Sequence, residues 1–176
     1  MPGPTFCDGD IVELRTIEEE DIEFLQQLIN DSRVRTSLAA VEPKNREQER
    51  DWVGSLGDDD SVHLLICADG ERVGCISLKP PNEIWGVVEV GYMIAPEQWG
   101  NGYATDALAT LCGYAFNERR LNKVYAHCFT TNPASRRVLE KVGFEEEGLL
   151  REEAFIDGDH VDVHRYGLLA NEWQNA

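Results

Sequence analysis

A glycine-rich turn at residues 96–105 constrains this chain most, because it joins an extended apolar run to a long helical pattern. The turn reads Pro-Glu-Gln-Trp-Gly-Asn-Gly-Tyr-Ala-Thr, with Gly100 and Gly102 one residue apart. Glycines at these points leave backbone N–H groups uncovered, and the first turn of the following helix adds N–H groups without intrahelical partners. The positive end of the helix dipole lies there too. The turn therefore predicts a nest of donors for a phosphate or pyrophosphate.

The same Gly-x-Gly pattern also occurs in tight turns that bind no ligand, so the turn alone leaves both interpretations open. Two common phosphate-binding motifs fit poorly. The Lys-Ser/Thr pair of a P-loop does not follow Gly102. The third glycine of a dinucleotide-binding fingerprint is missing, and Gly100 lies too far along the chain for the first βα turn of that fold.

The elements around this turn resemble the core of the GNAT superfamily of acyl-CoA N-acyltransferases. A strand at 87–95 precedes the turn, and a helix at 102–119 and a strand at 124–130 follow it. Asn-Pro-Ala-Ser at 132–135 then opens a short helix that stops at Gly143. The likeness is greatest to the branch that acetylates the N-terminal amines of ribosomal proteins.

The resemblance runs from Ile11 to about Trp173 and implies a single acetyltransferase domain over residues 1–176. It implies a mixed α/β fold, with a twisted sheet of about seven strands and helices on both faces. It further implies that the fourth strand, at 87–95, splays away from the fifth, at 124–130.

Hydrophobic periodicity and turn signals predict the remaining elements. Thr16, with Glu19 three residues on, predicts the capping box of a first helix. Residues 30–43 show no regular pattern and are predicted to be irregular, as part of the acceptor wall. The other predicted strands and helix are strands at 11–15, 62–68, 72–78, 145–156 and 161–169, and a helix at 46–56.

The resemblance implies that acetyl-CoA is the cofactor and that main-chain groups bind it. Asn132 and the splayed strand, with a bulge at Gly91, are expected to bind the pantetheine arm, and one strand N–H faces the thioester oxygen. Trp99 stands where relatives carry Gln or Arg, so its ring covers either the cofactor or the core. The implied cofactor-binding residues are Tyr92, Met93, Ile94, Trp99, Gly100, Asn101, Gly102, Tyr103, Ala104, Thr105 and Asn132.

Glu89 is the candidate catalytic base, because it is a charged residue among apolar ones on a central strand and relatives often carry a catalytic carboxylate there. Burial is expected to raise its pKa toward the working range. The alternative is a structural carboxylate paired with an Arg or with backbone. Glu152 and Glu153 are weaker candidates, and the glutamate on the sixth strand of the ribosomal-protein branch is matched here by Ala154.

Ser135 is the candidate catalytic acid by the same resemblance. Many relatives protonate the leaving thiolate with a tyrosine, but the matching position here is Leu139. The alternative role for Ser135 is the N-cap of its helix. Candidate residues for the acceptor side are Arg15, Arg33, Arg35, Asp162 and Tyr166.

The composition is strongly acidic, with 33 Asp and Glu against 16 Lys and Arg and a net charge of −17. Such a surface repels nucleic acid and anionic lipid. Two explanations compete: adaptation to a high-salt cytoplasm, which the even spread of charge favours, or attraction of a cationic substrate. The chain start carries no signal-peptide pattern and no apolar run reaches membrane-spanning length, so a cytoplasmic protein is expected.

No metal site is expected, because the five cysteines lack ligand spacing and His160 and His164 lie on a predicted strand. The sequence thus predicts an acetyl-CoA-dependent N-acetyltransferase for a primary amine, foremost the N-terminus of a protein such as a ribosomal protein, and a possible homodimer. The alternatives are a small cationic amine (polyamine, aminoglycoside or amino acid) as acceptor, or a catalytically silent acyl-CoA-binding module.

Overall fold

The computed structural model describes residues 2–174, and within them the chain forms one mixed sheet of eight strands. The strand order is β1-β2-β3-β4-β5-β6-β8-β7, and every pairing is antiparallel except that of β5 with β6. The strands are β1 (Thr5–Asp8), β2 (Glu13–Thr16), β3 (Val62–Ala68), β4 (Glu71–Leu78), β5 (Val87–Ile94), β6 (Lys123–Phe129), β7 (Glu145–Ile156) and β8 (Asp159–Leu169). The helices are α1 (Ile22–Asn30), α2 (Ser32–Ser37), α3 (Arg46–Gly54), α4 (Tyr103–Asn117), α5 (Pro133–Val142) and α6 (Ala170–Gln174).

The mixed α/β fold is confirmed, with a correction to the number of strands: eight in the described chain instead of about seven. The additional strand is β1, so the predicted fourth and fifth strands are β5 and β6. β1 reads Thr-Phe-Cys-Asp and lies at the sheet edge, largely exposed on both faces. It therefore lacks the apolar alternation by which a strand is recognised. The expected single domain at 1–176 includes Met1, Asn175 and Ala176, which lie outside the described residues.

Two local expectations near the N-terminus were wrong. Thr16 does not cap the first helix, because its hydroxyl donates to the Glu18 side chain at 2.7 Å. Asp21 instead accepts from the backbone N–H of Glu18 at 2.9 Å, at the start of a short 3-10 turn. Residues 30–43 are not wholly irregular, because they contain α2, which Asp31 caps by accepting from the Arg33 N–H. A six-residue helix with one buried apolar residue gives too little periodicity for detection.

Helices cover both faces of the sheet, as predicted. α4 and α5 pack on one face, where Leu108, Leu111 and Leu139 join a large buried cluster with apolar residues from the central strands. α1 and α3 pack on the other face, where Leu25 lies in a smaller buried cluster with Met93 of β5 against it. Because strand side chains alternate between faces, successive residues of β5 and β6 face different sets of helices.

β5 and β6 separate halfway along their length, and this is the predicted splay. They pair from Val87 with Lys123 to Glu89 with Tyr125, and the pairing ends there. Beyond this point β5 remains paired with β4 and β6 with β8. The expected bulge at Gly91 is not observed, since the β4–β5 register runs regularly through it. The splay therefore comes from divergence of two intact strand pairs.

Asp106 ties the start of α4 to the loop between β1 and β2. Its carboxylate accepts three backbone N–H bonds, from Asp10 at 3.1 Å, Ile11 at 2.7 Å and Val12 at 2.9 Å. These bonds satisfy consecutive donors of a turn with one charged acceptor, which strengthens each bond. The glycine-rich turn before α4 is therefore held by a contact with a remote part of the chain.

We expect Asp106→Ala to lower the free energy of unfolding by about 2 kcal/mol, since three backbone donors lose a charged acceptor. Urea unfolding followed by circular dichroism measures this change. Asp58→Ala, at an exposed residue before β3, is the matched loss of one negative charge and should leave stability within about 0.5 kcal/mol of wild type. Equal stability of the two variants would contradict the anchoring role of Asp106.

Candidate active site

A cavity of about 750 Å³ occupies the splay between β5 and β6 and extends to the glycine-rich turn and α5. α2 and the turn between β7 and β8 form its other walls. Its lining contains ten of the eleven predicted cofactor-binding residues and Ser135; Asn101 and Glu89 lie outside it. The predicted residues in the lining are Tyr92, Met93, Ile94, Trp99, Gly100, Gly102, Tyr103, Ala104, Thr105, Asn132 and Ser135.

The glycine-rich turn has the backbone conformation that the nest requires. Gly100 and Gly102 have φ of 83° and 85°, in the left-handed region that favours glycine. A Cβ on Gly100 would meet no atom within 4 Å, so open space lies against the backbone. Gly102 is the N-cap of α4, and the N–H groups of the first helical turn after it have no acceptor within the helix. The side chain of Asn101 donates to the Gln98 carbonyl at 3.1 Å, which fixes the turn.

Alternate residues of β5 present their backbone groups to the splay. The Glu89 carbonyl accepts from the Lys79 backbone N–H, and the Ala95 N–H donates to the Val73 carbonyl. The backbone groups of the odd-numbered residues therefore point to β4. The backbone N–H and C=O groups of the even-numbered residues therefore point to the other edge of β5, where β6 has moved away. Tyr92 and Ile94 therefore offer main-chain groups to the cavity, whereas Met93 contributes its side chain.

Trp99 closes one end of this open edge. Its indole Nε1 donates to the Ile94 carbonyl at 2.9 Å, and about half of the residue is exposed. The ring therefore belongs to the cavity rim, and the core alternative for Trp99 does not hold.

Ser135 is not the N-cap of α5, because Asn132 has that role. The Asn132 Oδ1 atom accepts from the Ser135 backbone N–H at 3.1 Å, which leaves the Asn132 amide nitrogen as a donor in the cavity lining. The Ser135 hydroxyl lies 2.9 Å from the Tyr92 hydroxyl. Burial raises the pKa of Tyr92, so its phenol stays neutral beside Ser135. Leu139 is fully buried and faces the core.

Both carboxylate oxygens of Glu89 have a partner, one a lysine and the other a histidine ring nitrogen. Lys79 Nζ lies 2.7 Å from Oε2, and His127 Nδ1 lies 3.0 Å from Oε1. Burial raises the pKa of Glu89, but the hydrogen bonds from Lys79 and His127 outweigh burial and hold the pKa below its usual value. The expected upward shift was therefore wrong. The catalytic role of Glu89 remains a prediction.

His127 is a site residue that sequence reasoning missed. It lies on β6 two residues past the last β5–β6 pair, lines the cavity, and alternates with the buried Ala126 and Cys128. Its side chain therefore faces away from α4 and α5. A lone histidine on a strand gives no signal in the sequence, because only the β5–β6 register brings it to Glu89.

The charged lining of the cavity was also missed in part. Arg137 and Lys141 are four apart on α5 and so share one helix face in the lining. Asp157, in the turn between β7 and β8, and Asp159, the first residue of β8, also line the cavity. The sequence does carry a sign of the first pair, because two basic residues four apart on a predicted helix are unusual in so acidic a chain.

Of the five candidate acceptor residues, only Arg33 lines the cavity. It bridges Asp31 at 2.6 Å and Glu97 at 2.7 Å, linking α2 to the turn after β5. Asp162 accepts from the Glu152 N–H at 2.8 Å, and Tyr166 is buried and donates to Glu140. The remaining two candidates, Arg15 and Arg35, also lie outside the lining.

Residues 2–174 contain neither a grouped set of potential metal ligands nor a helix that could span a membrane. In that part of the chain no three His, Cys, Asp or Glu side chains are grouped to hold a metal ion. None of the helices there is both long and apolar enough to cross a membrane.

Comparison with known proteins shows which family the chain belongs to. The family model described as the acetyltransferase (GNAT) domain matches residues 12–145. A Bacillus subtilis protein named "Putative ribosomal N-acetyltransferase YdaF" is 33% identical over 171 residues, covering 93% of each chain. Spermidine N(1)-acetyltransferase of Vibrio cholerae is 28% identical over 164 residues, covering 92% of this chain and 95% of its own.

A solved structure is similar to the chain over almost its whole length. The crystal structure of spermidine N-acetyltransferase from Vibrio cholerae in complex with CoA and spermine superposes with a TM-score of 0.86 at 29% identity, covering 93% of this chain and 98% of its own. The chain therefore belongs to the GNAT acetyltransferase family, and it is an N-acetyltransferase that uses acetyl-CoA. The open glycine cradle and the free edge of β5 fit that cofactor.

We expect Gly100→Ala to weaken CoA binding about tenfold or more, because a Cβ enters the cradle that the backbone donors surround. Isothermal titration with CoA measures the affinity. Gly70→Ala is the matched control, since Gly70 has φ of 80°, equally open space around its Cβ position, and a place in the β3–β4 turn.

Both substitutions put alanine in the left-handed region and should each cost about 1 kcal/mol of stability. A difference in CoA affinity therefore isolates the cradle from backbone strain. If the two variants bind CoA equally well, the nest is not the phosphate site.

Proposed function

We propose that the protein transfers the acetyl group of acetyl-CoA to the N-terminal amine of a protein or peptide. The observation that carries this proposal is the distribution of charge in the cavity. Within the described chain, the lining contains two carboxylates, Asp157 and Asp159, which lie close together where β7 turns into β8. It also contains three cationic side chains, those of Arg33, Arg137 and Lys141. Such a lining suits one ammonium group on an otherwise neutral chain.

An acceptor that is cationic along its whole length fits this lining less well. A polyamine carries several ammonium groups, and each loses hydration that a nearby carboxylate must replace. The resemblance to the ribosomal-protein branch and the 33% identity to YdaF support the peptide acceptor. The net charge of −17 supports a basic partner surface around the N-terminus, because it attracts cations at long range.

A small cationic amine is the second candidate acceptor. It is favoured by the pair Asp157 and Asp159 and by the spermidine N-acetyltransferases among the relatives. The two acceptors differ beyond the reacting amine, since a peptide continues as a chain of neutral amide groups, whereas a polyamine carries further ammonium groups.

The acceptor is tested with purified protein, acetyl-CoA and a panel of peptides, intact ribosomal proteins, spermidine and spermine. Mass spectrometry locates the acetyl group, and thiol release gives the rate. Acetylation of peptide α-amines at a higher kcat/KM than either polyamine supports the proposal. Preference for spermidine or spermine replaces it with the second candidate. CoA binding without turnover on any amine would indicate a silent acyl-CoA-binding module.

Ser135 is the proposed proton donor to the sulfur of coenzyme A, which supplies the acetyl group as a thioester. Its hydroxyl lines the cavity, and its contact with the Tyr92 hydroxyl fixes its position on the α5 side of the splay. Backbone N–H groups of β5 that face the splay, such as that of Tyr92, are the proposed donors to the thioester oxygen. Both groups act on charge that develops as the acetyl group leaves sulfur.

We expect Ser135→Ala to lower kcat about 100-fold, the usual effect of losing a general acid, with little change in stability. Stability is kept because the Asn132 cap bonds the Ser135 backbone N–H, which alanine retains. Steady-state kinetics and thermal melting measure the two effects. Ser61→Ala, a half-buried serine outside the cavity, should leave kcat unchanged. An active Ser135→Ala enzyme would rule out the proton-donor role.

A further inference from the structure

We propose that His127 takes the proton from the acceptor amine and that Glu89 holds the His127 imidazole in position for this. The inference deepens the proposed function, on which it rests, by naming the base at that site. It follows from three observations: which of the two residues lines the cavity, which ring nitrogen Glu89 occupies, and which face of the sheet they share.

The cavity lining contains His127 and not Glu89. His127 is among the exposed residues of β6, with about a third of its side chain accessible, whereas the Glu89 side chain is 17% accessible. A base must come within hydrogen-bond reach of the proton that it removes. His127 meets this requirement directly, and Glu89 meets it only through another group.

The hydrogen bond between the two residues fixes the protonation of the ring. An ionised carboxylate only accepts hydrogen bonds, so the Nδ1 atom of His127, 3.0 Å from Glu89 Oε1, carries hydrogen. In the neutral ring Nε2 then has a free lone pair, and Nε2 is the ring nitrogen left for the cavity. Lys79, 2.7 Å from Glu89 Oε2, keeps that carboxylate ionised and in place.

The sheet places this pair on the side opposite the proposed proton donor. Glu89 lies four residues before Met93 on β5, so both side chains are on the face that packs against α1 and α3, and His127 points away from the α4–α5 cluster. Tyr92 and Ser135 lie toward α4 and α5. A base on one face and an acid on the other face meet in the splay, so a substrate between them has both within reach.

The charged and titratable neighbours of His127 are few among the described residues. Glu89 contacts the ring from β5, and Lys79 binds the other oxygen of that carboxylate. Tyr125 contacts its ring on β6, with ring centroids 5.7 Å apart. Arg165 is its partner on β8, and the guanidinium lies over the Tyr125 ring at 4.1 Å. Arg165 also pairs with Glu147, whose Oε2 lies 3.5 Å from the guanidinium Nε.

The proton balance of the step is simple. The acceptor ammonium gives one proton to Nε2 of His127, and the neutral amine forms the N–C bond to the acetyl carbonyl carbon. The C–S bond breaks, and the second proton lost by the nitrogen replaces the one that Ser135 gives to sulfur. His127 then returns its proton to solvent, so the products are the amide, free thiol and one proton.

The test compares kcat/KM over pH for wild type, His127→Gln, His127→Asn and Glu89→Gln with one peptide acceptor. Wild type should gain activity with rising pH, as the base loses its proton. Both His127 variants should lose this rise and fall about 100-fold in rate at pH 7. CoA affinity and thermal melting should stay unchanged, because the His127 side chain is exposed.

Glu89→Gln separates positioning from proton transfer. Removing the carboxylate takes away the acceptor that orients the imidazole but leaves the base in place, so the rise in activity with pH should persist. The rate should fall by up to about 100-fold through misorientation. His164→Gln is the matched control, because His164 Nδ1 lies 3.0 Å from Glu146 in an equivalent pair outside the cavity. It should behave as wild type.

Each remaining outcome decides between the assignments. If Glu89→Gln loses the rise in activity and the His127 variants keep it, Glu89 is the base and the inference is wrong. If wild type is active and both His127 variants match it in rate and profile, the inference fails while the proposed function stands. If wild type binds CoA and acetylates no amine, the proposed function and the inference both fail.

Discussion

The active site depends on the loss of pairing between β5 and β6 beyond Glu89. Each strand keeps its other neighbour, β4 or β8, so the gap costs few main-chain hydrogen bonds and the rest of the sheet stays regular. A row of unpaired groups on β5 is left facing a space large enough for a ligand. Without that divergence, the glycine-rich turn would stand at the end of a closed sheet, with no cavity beside it.

The divergence also joins two surfaces that a sheet normally keeps apart. Side chains of neighbouring residues on a strand point to opposite faces, so an ionisable pair on one face cannot act with a hydroxyl on the other face. In this protein Glu89 and His127 belong to one face, and Tyr92 and Ser135 belong to the other. The cavity between the strands has His127 from one face and Tyr92 and Ser135 from the other in a single lining.

The sequence predicted the parts of this arrangement that are local. The Gly100 and Gly102 turn, the helix after it and the strand before it are contiguous in the chain and have strong patterns. The splay itself came from a family resemblance, as did Ser135. β1 was missed because an exposed edge strand has no apolar alternation, and α2 was missed because six residues carry little periodicity.

The electrostatics of the site was beyond sequence reasoning. The expected rise in the pKa of Glu89 considered burial and could not include Lys79 and His127, which are ten and thirty-eight residues away. In the same way, the proximity of Asn132 to Ser135 was visible in the sequence, but which of them caps α5 was not. Local patterns locate elements, whereas the register of strands decides which side chains meet.

The indole of Trp99 has a consequence for the unpaired edge of β5. Exposed strand edges recruit other strands, and a row of free donors and acceptors inside a cleft is open to any extended polypeptide. Because Trp99 occupies the Ile94 carbonyl, the row ends after a few residues. The unpaired stretch is confined to the few residues of β5 between Glu89 and Ile94. So short an edge offers another strand little to pair with, so the enzyme keeps an internal edge without becoming a template for aggregation.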